Sequence, residues 1–368
     1  MKKININANS GRYPVYVGPN ILKKIGLICK KNKVNFEKSL IIIDNKLSFK
    51  YTKIIKKSLK LKKTFIYSFK SNEKNKNIFE INKVINNLLK NNFSRNDCII
   101  ALGGGIVGDF SSFAASIYKR GLSFINVPTT LLSQVDACIG GKNGVNDNKF
   151  GKNLIGTFYQ PKIVISDSKF LETLSTRQII CGYAEMLKHS LVASKKNFEF
   201  LKNNYKKILK TRSPFIDKAI LMSCKIKKNI VEQDEKEQNL RKILNFGHTF
   251  GHAYEAASGF KNNLNHGEGV MLGMKTAIKF SLEKKIIDFK TYDKILSHIN
   301  HISSDLTINK FFQKKDINKL VRLMQNDKKN KNSKINLILL KNISKPIISK
   351  DYSPNEIKKF FENELINF

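Results

Sequence analysis

Residues 98–109 read Cys-Ile-Ile-Ala-Leu-Gly-Gly-Gly-Ile-Val-Gly-Asp, and this stretch decides the fold. The apolar run Cys98–Leu102 is typical of a buried parallel strand, and three glycines follow it directly. Glycine permits a tight turn and lets backbone N–H groups approach a phosphate at the start of a helix. The spacing differs from the usual Gly-x-Gly-x-x-Gly, and a purely structural turn remains the alternative. We favour a phosphate-cradling strand–turn–helix, in which Asp109 binds a cofactor hydroxyl or caps the helix.

The same alternation of strand and helix extends to both sides of this turn. Short apolar runs predict strands over residues 39–43, 64–69, 124–127 and 162–166. Helical apolar spacing predicts helices over residues 49–61, 77–91 and 110–118. This order predicts a mainly parallel sheet wrapped by helices.

The pattern changes after about residue 172, where strand-like runs almost vanish. Helical periods dominate residues 178–232, 243–258, 267–283 and 306–325, and Ile335–Leu340 is a late apolar run of strand type. We therefore predict an N-terminal α/β Rossmann-like nucleotide-binding domain over residues 1–172. An all-α domain that binds metal and substrate is predicted over residues 173–368.

The composition is that of a globular protein, with 41% hydrophobic and 26% charged residues among 368. No apolar run approaches the ~20 residues that a membrane helix needs, and the N-terminus lacks the apolar core of a signal peptide. The five cysteines form no Cys-x-x-Cys pair, which indicates reduced thiols. We expect a cytoplasmic protein with no membrane partner.

The formal net charge of +38 invites a nucleic-acid-binding interpretation, which the residue types disfavour. Only seven of the 67 basic residues are Arg, and the lysines are spread along the chain. Lys occurs with abundant Asn, Ile and Phe, all encoded by A/T-rich codons. A nucleic-acid surface usually also uses Arg, whose planar fork suits phosphates and bases. We therefore attribute the charge to compositional drift and expect no nucleic-acid partner.

Metal-capable residues are spread over the C-terminal half. Glu185 stands in Gly-Tyr-Ala-Glu-Met-Leu-Lys, His248 and His252 share one helix face, and His266 opens His-Gly-Glu-Gly. One carboxylate with two or three imidazoles suits Zn²⁺ with an open position. His189, four residues after Glu185, competes by spacing, so spacing alone leaves the ligand set open.

Two lysines with glycine neighbours follow the predicted strand that ends at Pro128-Thr129-Thr130. Carboxyl ends of parallel strands are where ligands bind in open α/β sheets. Lys142 follows Gly140-Gly141, and Lys152 follows Gly151, so both can converge on an anionic group.

Taken together, these motifs resemble the 3-dehydroquinate synthase family of sugar-phosphate cyclases over about residues 40–330. The motifs that carry the resemblance are Gly103–Asp109, Val127–Leu132, Asp136–Lys142, Gly151–Gly156, Ala184-Glu185, Asn245–Ala253 and His266–Glu268. The resemblance implies conversion of 3-deoxy-arabino-heptulosonate 7-phosphate, a phosphorylated sugar acid, to 3-dehydroquinate and phosphate. It implies transient oxidation by NAD, phosphate elimination, re-reduction and aldol closure.

The resemblance also assigns roles to individual residues. The implied metal ligands, for Zn²⁺ or Co²⁺, are Glu185, His248 and His266, while His252 takes part in proton transfer. The implied NAD contacts are Asp44, Asn45, Glu73, Lys76, Gly103, Gly104, Gly105, Ile106, Val107, Gly108, Asp109, Thr129, Thr130, Lys142, Lys152, Phe170, Leu171, Glu172 and Thr173. The implied substrate and catalytic residues are Arg120, Asp136, Lys142, Lys152, Asn153, Lys188, Lys227, Arg241, Asn245, His252 and Lys328. Arg120 matches an arginine that reaches the neighbouring subunit's substrate, which implies a homodimer.

Some positions depart from the family pattern. Phe69-Lys70-Ser71-Asn72-Glu73 replaces the usual Pro-x-Gly-Glu, and Asn143 stands where Thr is usual. The step from His248 to His266 is slightly long, which a loop at residues 261–265 absorbs. The rival functions are another sugar-phosphate cyclase and a metal-dependent glycerol-type dehydrogenase, whose glycine loop usually reads Gly-Gly-Gly-x-x-x-Asp.

Overall fold

The computed structural model describes residues 1–60, 63–147, 149–259, 264–325 and 334–366. The chain forms two compact units. The first comprises Met1–Ile179 with Thr211–Lys236, and the second comprises Ile180–Lys210 with Glu237–Phe368. Within the described ranges, no helix combines the length and apolar character needed to cross a membrane.

The secondary structure follows the chain in this order. The strands are β1 (Lys2–Ala8), β2 (Gly11–Gly18), β3 (Lys38–Asp44), β4 (Lys63–Phe69), β5 (Cys98–Gly103), β6 (Ser123–Pro128), β7 (Lys142–Asp147), β8 (Gly151–Phe158), β9 (Ile163–Asp167), β10 (Ile335–Asn342) and β11 (Lys345–Tyr352). The helices are α1 (Ile25–Lys31), α2 (Lys50–Leu59), α3 (Ile78–Lys90), α4 (Gly105–Ile117), α5 (Thr176–Ala193), α6 (Lys195–Leu209), α7 (Phe215–Gln233), α8 (His248–Ala257), α9 (His266–Glu283), α10 (Phe289–Ile302), α11 (Ile317–Gln325) and α12 (Pro354–Ile366).

The first unit is built on a seven-stranded sheet with the order β1-β2-β9-β6-β5-β3-β4. Its pairs are parallel except for the antiparallel pair β1–β2. The order reverses between β3 and β5, and such a switch point opens a crevice at the carboxyl ends of the strands. Asp44 and Gly103 end these two strands, so the sheet places them at the crevice. The predicted parallel α/β fold is confirmed.

Both faces of the central strands are covered. Leu40 and Ile42 belong to one apolar cluster, while Ile41 and Ile43 belong to the other. Successive side chains of a strand point to opposite faces, so covering both faces requires a continuous apolar run. This explains why residues 39–43 show no polar alternation.

The first unit differs from the predicted pattern at hairpin β7–β8 and at the start of α4, and its strand β2 and helix α1 were not predicted. The antiparallel hairpin β7–β8 occupies residues that show no clear strand signal, because most of β8 is exposed. Helix α4 begins at Gly105, five residues before the predicted start at Phe110. Glycine lowers helix propensity, so apolar spacing does not indicate this first turn.

The second unit is helical, as predicted, and includes one β-hairpin formed by β10 and β11. The sequence predicted a strand at Ile335–Leu340 but gave no signal for β11, which reads Lys-Pro-Ile-Ile-Ser-Lys-Asp-Tyr. The predicted helical stretch 178–232 consists of three helices, α5, α6 and α7, of which α7 belongs to the first unit. Ser194 caps the start of α6 with its side chain, and α7 begins after Pro214.

Candidate active site

Three side chains from separate helices of the second unit converge, and they are the ligand set that the family resemblance implies. Glu185 lies on α5, while His248 and His266 are the first residues of α8 and α9. The Oε1 atom of Glu185 lies 3.7 Å from Nε2 of His248 and 3.4 Å from Nε2 of His266. One ligand atom from each residue lies within 4.8 Å of the others.

Glycines make this convergence sterically possible. A Cβ on Gly267 would lie 2.2 Å from the Cα of Cys181, so only glycine lets the start of α9 touch α5 one turn before Glu185. A Cβ on Gly273 would lie 2.0 Å from the carbonyl oxygen of Gly247. Helices α8 and α9 therefore pack backbone against backbone, which fixes His248 beside His266.

The two oxygens of Glu185 face different partners. Oε1 faces the two histidines, whereas Oε2 forms a buried ion pair with Lys188, one turn along α5. Nε2 of His189 is 4.0 Å from Oε2, on the side of the ion pair. The geometry therefore distinguishes His189 from the histidine pair, which sequence spacing did not.

The two histidines of the cluster carry different charge. Burial, followed by the charge of Lys188, holds the pKa of His248 well below its ordinary value, so this ring is neutral. Burial also acts to lower the pKa of His266, but hydrogen bonds with Glu185 and Glu255 outweigh it and raise the pKa to about 10. Binding of a cation at this cluster would therefore displace a proton from His266.

The donor set fits a divalent cation of the zinc type. Ligands bound at about 2.0–2.2 Å in a tetrahedral site lie roughly 3–4 Å from one another, and the separations around Glu185 are of this size. A carboxylate and two imidazoles also leave a position for substrate. His252 lies beside the cluster, with its ring 5.1 Å from that of His248. It is exposed, whereas His248 is buried.

Glu255 is a member of this neighbourhood that the sequence analysis missed. Its Oε1 lies 3.0 Å from Nδ1 of His266. Glu255 follows His248 by seven residues and His252 by three, so helical periodicity places all three on one face of α8 and was the available signal. Glu268 contributes differently, since it forms a capping box with Asn265 at the start of α9.

Two further predicted residues of the second unit lie in the short turn that precedes α8. Arg241 is buried in the 3₁₀ turn Leu240–Asn245. The side-chain amide of Asn245 donates to Glu237 across 2.7 Å. Lys328 lies outside the described residues, as do residues 260–263 of the loop expected to absorb the long His248–His266 spacing.

In the first unit, the glycine turn sits at the switch point of the sheet. Gly104 is the N-cap of α4 and has no side chain to satisfy the first N–H groups of the helix. The amide of Thr129 donates to the carbonyl of Gly103 across 2.9 Å, which joins the carboxyl ends of β5 and β6. A Cβ on Gly104 would lie 3.2 Å from Cγ2 of Thr130.

Lys76 links the predicted cofactor loop to the hairpin that carries predicted substrate contacts. Its buried ammonium donates to Asp109 across 2.6 Å and to the side-chain oxygen of Asn153 across 2.7 Å. Burial raises the pKa of Asp109, and Lys76 opposes that rise. The Nζ of Lys152 lies 3.7 Å from Glu73. These predicted residues, distant in sequence, therefore form one charged cluster.

The loop that departs from the family pattern is well anchored within this unit. The Ser71 hydroxyl donates to Asp44 across 2.6 Å, and Asn146 donates to Glu73 across 2.8 Å. The backbone N–H of Asn45 donates to the carbonyl of Phe69 across 2.9 Å. The replacement of Pro-x-Gly-Glu thus preserves a defined loop beside Asp44.

A second ion pair of the first unit joins two further predicted residues. The buried ammonium of Lys227, on α7, donates to the side chain of Asp136 across 2.6 Å. Asp136 lies in the π-helical turn Ser133–Ala137. This pair contributes to the fixed charge near the carboxyl ends of the strands.

Other predicted residues are either packed in the core or exposed. Phe170 and Leu171 are buried, and the ring of Phe170 packs 4.8 Å from that of Tyr51. Their side chains belong to the core, while Glu172 and Thr173 are exposed. Lys142 is exposed at the start of β7, and Arg120 is exposed after α4. The roles assigned to these residues remain predictions.

Comparisons with known proteins place the chain in a family. The family described as 3-dehydroquinate synthase N-terminal matches residues 66–181, and the family described as 3-dehydroquinate synthase C-terminal matches residues 182–330. A 3-dehydroquinate synthase of Pelagibacter ubique (strain HTCC1062) is 50% identical over 363 residues, which covers 99% of this chain and 98% of the relative.

Two solved structures show the same fold at lower identity. A 2-deoxy-scyllo-inosose synthase complexed with carbaglucose-6-phosphate, NAD⁺ and Co²⁺ has a TM-score of 0.88 and is 23% identical, covering 99% of this chain and 100% of that one. A 2-epi-5-epi-valiolone synthase of Streptomyces hygroscopicus subsp. jinggangensis 5008, with NAD⁺ and Zn²⁺ bound, has a TM-score of 0.83. It is 22% identical and covers 97% of each chain.

Proposed function

This chain belongs to the 3-dehydroquinate synthase family, and we propose that it converts 3-deoxy-arabino-heptulosonate 7-phosphate to 3-dehydroquinate and phosphate. The observation that carries this proposal is the cluster of Glu185, His248 and His266, whose donor set and spacing fit a divalent cation. The reaction class is a carbon–oxygen lyase that eliminates phosphate and closes a ring.

The proposal includes NAD and Zn²⁺ or Co²⁺ as resident groups. The turn at Gly103–Asp109, with Thr129 and Thr130 beside it, is assigned to the dinucleotide, and the Glu185 cluster is assigned to the cation. When bound, the dinucleotide accepts and returns a hydride, and the cation polarises a substrate hydroxyl. The two solved cyclases with NAD⁺ support this assignment at the level of fold.

The residues of the chain have electrostatic and positioning tasks. We assign Lys142, Lys152, Asn153, Lys188 and Lys227 to the anionic groups of the substrate. Arg241 and Asn245 are assigned to its polar groups. A doubly charged phosphate is stabilised as it leaves by such fixed cations. The exposed imidazole of His252, beside the cation cluster, is assigned to proton transfer.

The rival cyclase activities are weaker candidates. The relative that shares 50% identity over nearly the whole chain is a 3-dehydroquinate synthase, whereas the sister cyclases share 22–23%. An identity of this low level supports the fold alone. The glycerol-type dehydrogenase alternative also predicts a different glycine loop from the one present.

Turnover per cofactor tests the proposed reaction. Phosphate release from 3-deoxy-arabino-heptulosonate 7-phosphate is measured with substoichiometric NAD⁺ and Zn²⁺. Many turnovers per NAD⁺ are expected, with loss of activity in EDTA and no release from sedoheptulose 7-phosphate. Turnover on sedoheptulose 7-phosphate alone would identify a sister cyclase. Stoichiometric NADH formation without phosphate release would identify a dehydrogenase.

A homodimer is part of the proposal, with hairpin β7–β8 in the interface. Leu154, Ile155 and Phe158 are exposed on the edge strand β8, and Ile117 is exposed at the end of α4. The Thr157 hydroxyl donates to Ser116 across 2.9 Å, which holds the hairpin against α4. An exposed apolar edge strand is usually covered in the assembled protein, and a second copy covers it without a further partner.

Matched substitutions test this interface. F158D is expected to yield monomers in sedimentation, because it places a charge in the apolar patch. F79D, at an exposed phenylalanine on α3 of the same unit, is expected to leave the dimer intact. Dimers of F158D indistinguishable from wild type would exclude β8 from the interface.

Complementation tests whether Arg120 acts in the neighbouring subunit. R120A and H266A are each expected to be nearly inactive. In a co-expressed mixture of equal amounts, the mixed dimer contains one site with both His266 and Arg120, so activity should recover to about a quarter of wild type. No recovery would place Arg120 in its own subunit's site.

We also assign the protein to the cytoplasm. All five cysteines are free thiols, and four of them are buried. Unpaired thiols are typical of proteins in a reducing compartment.

A further inference from the structure

We propose that Glu255 is a positioning residue that fixes the tautomer and orientation of His266 for cation binding. The inference rests on the proposed function, because it requires that the cluster of Glu185, His248 and His266 holds a cation. It adds a residue that neither the sequence analysis nor the comparisons assign.

The first observation is the way in which His266 is held between two carboxylates. Its Nδ1 lies 3.0 Å from Oε1 of Glu255, and its Nε2 lies 3.4 Å from Oε1 of Glu185. The Glu255 side chain is only 12% exposed, so solvent does not replace this contact. The imidazole thus turns Nε2 toward the cation cluster, while Nδ1 contacts an acceptor that is largely shielded from solvent.

This arrangement selects the tautomer that a metal ligand needs. A neutral imidazole has one N–H, and an acceptor at Nδ1 places the proton there. In the cation-bound protein, Nε2 then has its lone pair free on the side of Glu185 and His248. A carboxylate behind a ligating histidine also makes the imidazole a stronger donor than a neutral acceptor does.

His248 provides the internal comparison. Its Nδ1 lies 3.3 Å from the carbonyl oxygen of Phe246, so a backbone group orients this ring. Its Nε2 faces the same oxygen of Glu185 as Nε2 of His266 does. Both rings therefore turn Nε2 inward and Nδ1 outward, but only His266 has a carboxylate at Nδ1.

Gly269 leaves the space in which the Glu255 carboxylate sits. A Cβ at Gly269 would lie 3.0 Å from both Cγ and Oε1 of Glu255. Helix α8 itself borders the other side of this space, because Glu255 is in the last turn of that helix. The carboxylate is thus confined beside His266 by packing as well as by its hydrogen bond.

The test measures cation affinity in the full-length protein with a competing chelator, using Zn²⁺ and Co²⁺ separately. E255Q keeps the size and an acceptor but loses the charge, so the dissociation constant should rise about 10-fold. E255A removes the acceptor, and the rise should approach about 100-fold. E283Q is the matched control, a Glu→Gln change at an exposed position of α9, and should leave the affinity unchanged.

The outcomes separate this inference from the proposed function. If wild-type protein binds no cation, or if E185Q binds as tightly as wild type, the proposed cation site is wrong. If wild type binds and E255Q matches it, the positioning role is overturned. If E255Q loses cation as completely as E185Q, Glu255 is a ligand, together with His252 and His266, whose donor atoms also lie within 4.8 Å of it.

Activity and spectroscopy add readouts that a merely structural role would not move. Excess cation should restore kcat in E255Q with little change in the substrate KM. In wild-type protein loaded with Zn²⁺ and labelled with ¹⁵N-histidine, the His266 signal should show a protonated Nδ1 and a metal-bound Nε2. The chain has six histidines, so an H266Q spectrum identifies the signal. Metal-bound Nδ1 would overturn the proposal even if the E255 variants did not fold.

Discussion

The glycine turn of the first unit lies within one short stretch, residues 98–109, whereas the metal cluster of the second unit draws on positions 185, 248 and 266. The turn offers backbone N–H groups at the start of α4. The cluster offers side chains held at the starts of α8 and α9 and on α5. A backbone site is specified by local conformation, while a side-chain site is specified by how helices pack.

Both sites nevertheless depend on glycine, for different reasons. Gly104 keeps open the space next to Thr130 at the end of β6. Gly267 and Gly273 remove side chains where two helices touch, so they act on the site only through packing. A substitution in the turn should therefore affect binding alone, while one at a helix contact should affect stability and binding together.

The largest expected effect is the loss of a cluster ligand. H266A should lose bound cation and lower kcat/KM by at least about 100-fold, because both charge stabilisation and the ligand are removed. H252A should retain the cation while losing activity, since His252 is assigned to proton transfer. Metal content and turnover are measured on the same preparations. Wild-type cation occupancy in H266A would contradict the ligand assignment.

The next effect tests the packing of the cluster. G267A would place a Cβ 2.2 Å from the backbone of Cys181, so α9 must move away from α5. We expect a loss of about 3 kcal/mol in the free energy of unfolding, with weaker cation binding. Denaturant unfolding and chelator competition measure the two. G259A is the control, because a Cβ there meets no atom within 4 Å, although its positive φ adds some strain of its own.

A buried histidine away from the cluster makes the stability of the second unit depend on pH. His298 donates to or accepts from the Tyr183 hydroxyl across 2.9 Å, and burial lowers its pKa to about 4. The unfolded chain takes up this proton near pH 6.5, so stability is lost as pH falls from 6.5 toward 4. Between pH 7 and pH 5 the loss from this group is about 2 kcal/mol.

H298Q measures that contribution as a difference. Both proteins are unfolded by denaturant at each pH in the presence of a chelator, which removes any contribution from bound cation. The stability of wild type relative to H298Q should fall by about 2 kcal/mol from pH 7 to pH 5. A difference that does not vary with pH would show that His298 titrates alike in the folded and unfolded chains.

The smallest effect belongs to the turn. G104A adds a methyl 3.2 Å from Thr130 at a residue with an ordinary extended conformation, φ −74°. We expect NAD⁺ affinity to fall by roughly 10-fold, or about 1.4 kcal/mol, with cation affinity unchanged. Calorimetric titration with NAD⁺ measures it. Equal NAD⁺ affinity in G104A and wild type would show that the turn does not contact the dinucleotide.

Sequence patterns predicted strands β3, β4, β5, β6 and β9 of the parallel sheet, because each of these strands is specified locally. The run at residues 39–43 and the run at residues 98–102 both became central strands, since continuous apolar residues suit a sheet covered on both faces. The hairpin β7–β8 gave no such signal because its outer strand is exposed. Strand β11 was missed for a similar reason, since its charged and proline residues match no apolar pattern.

The sequence by itself determined the glycine turn, the alternation of strands and helices around it and a list of candidate ligands. The tertiary structure decided which histidines face Glu185, because His248 and His252 share one face of α8 and differ in burial and distance. It also decided that Glu255 lies behind His266 and that Lys76 joins Asp109 to Asn153. Local conformation follows from neighbouring residues, whereas contacts between distant residues depend on how closely the backbones approach. In this protein, glycines at helix contacts set that approach.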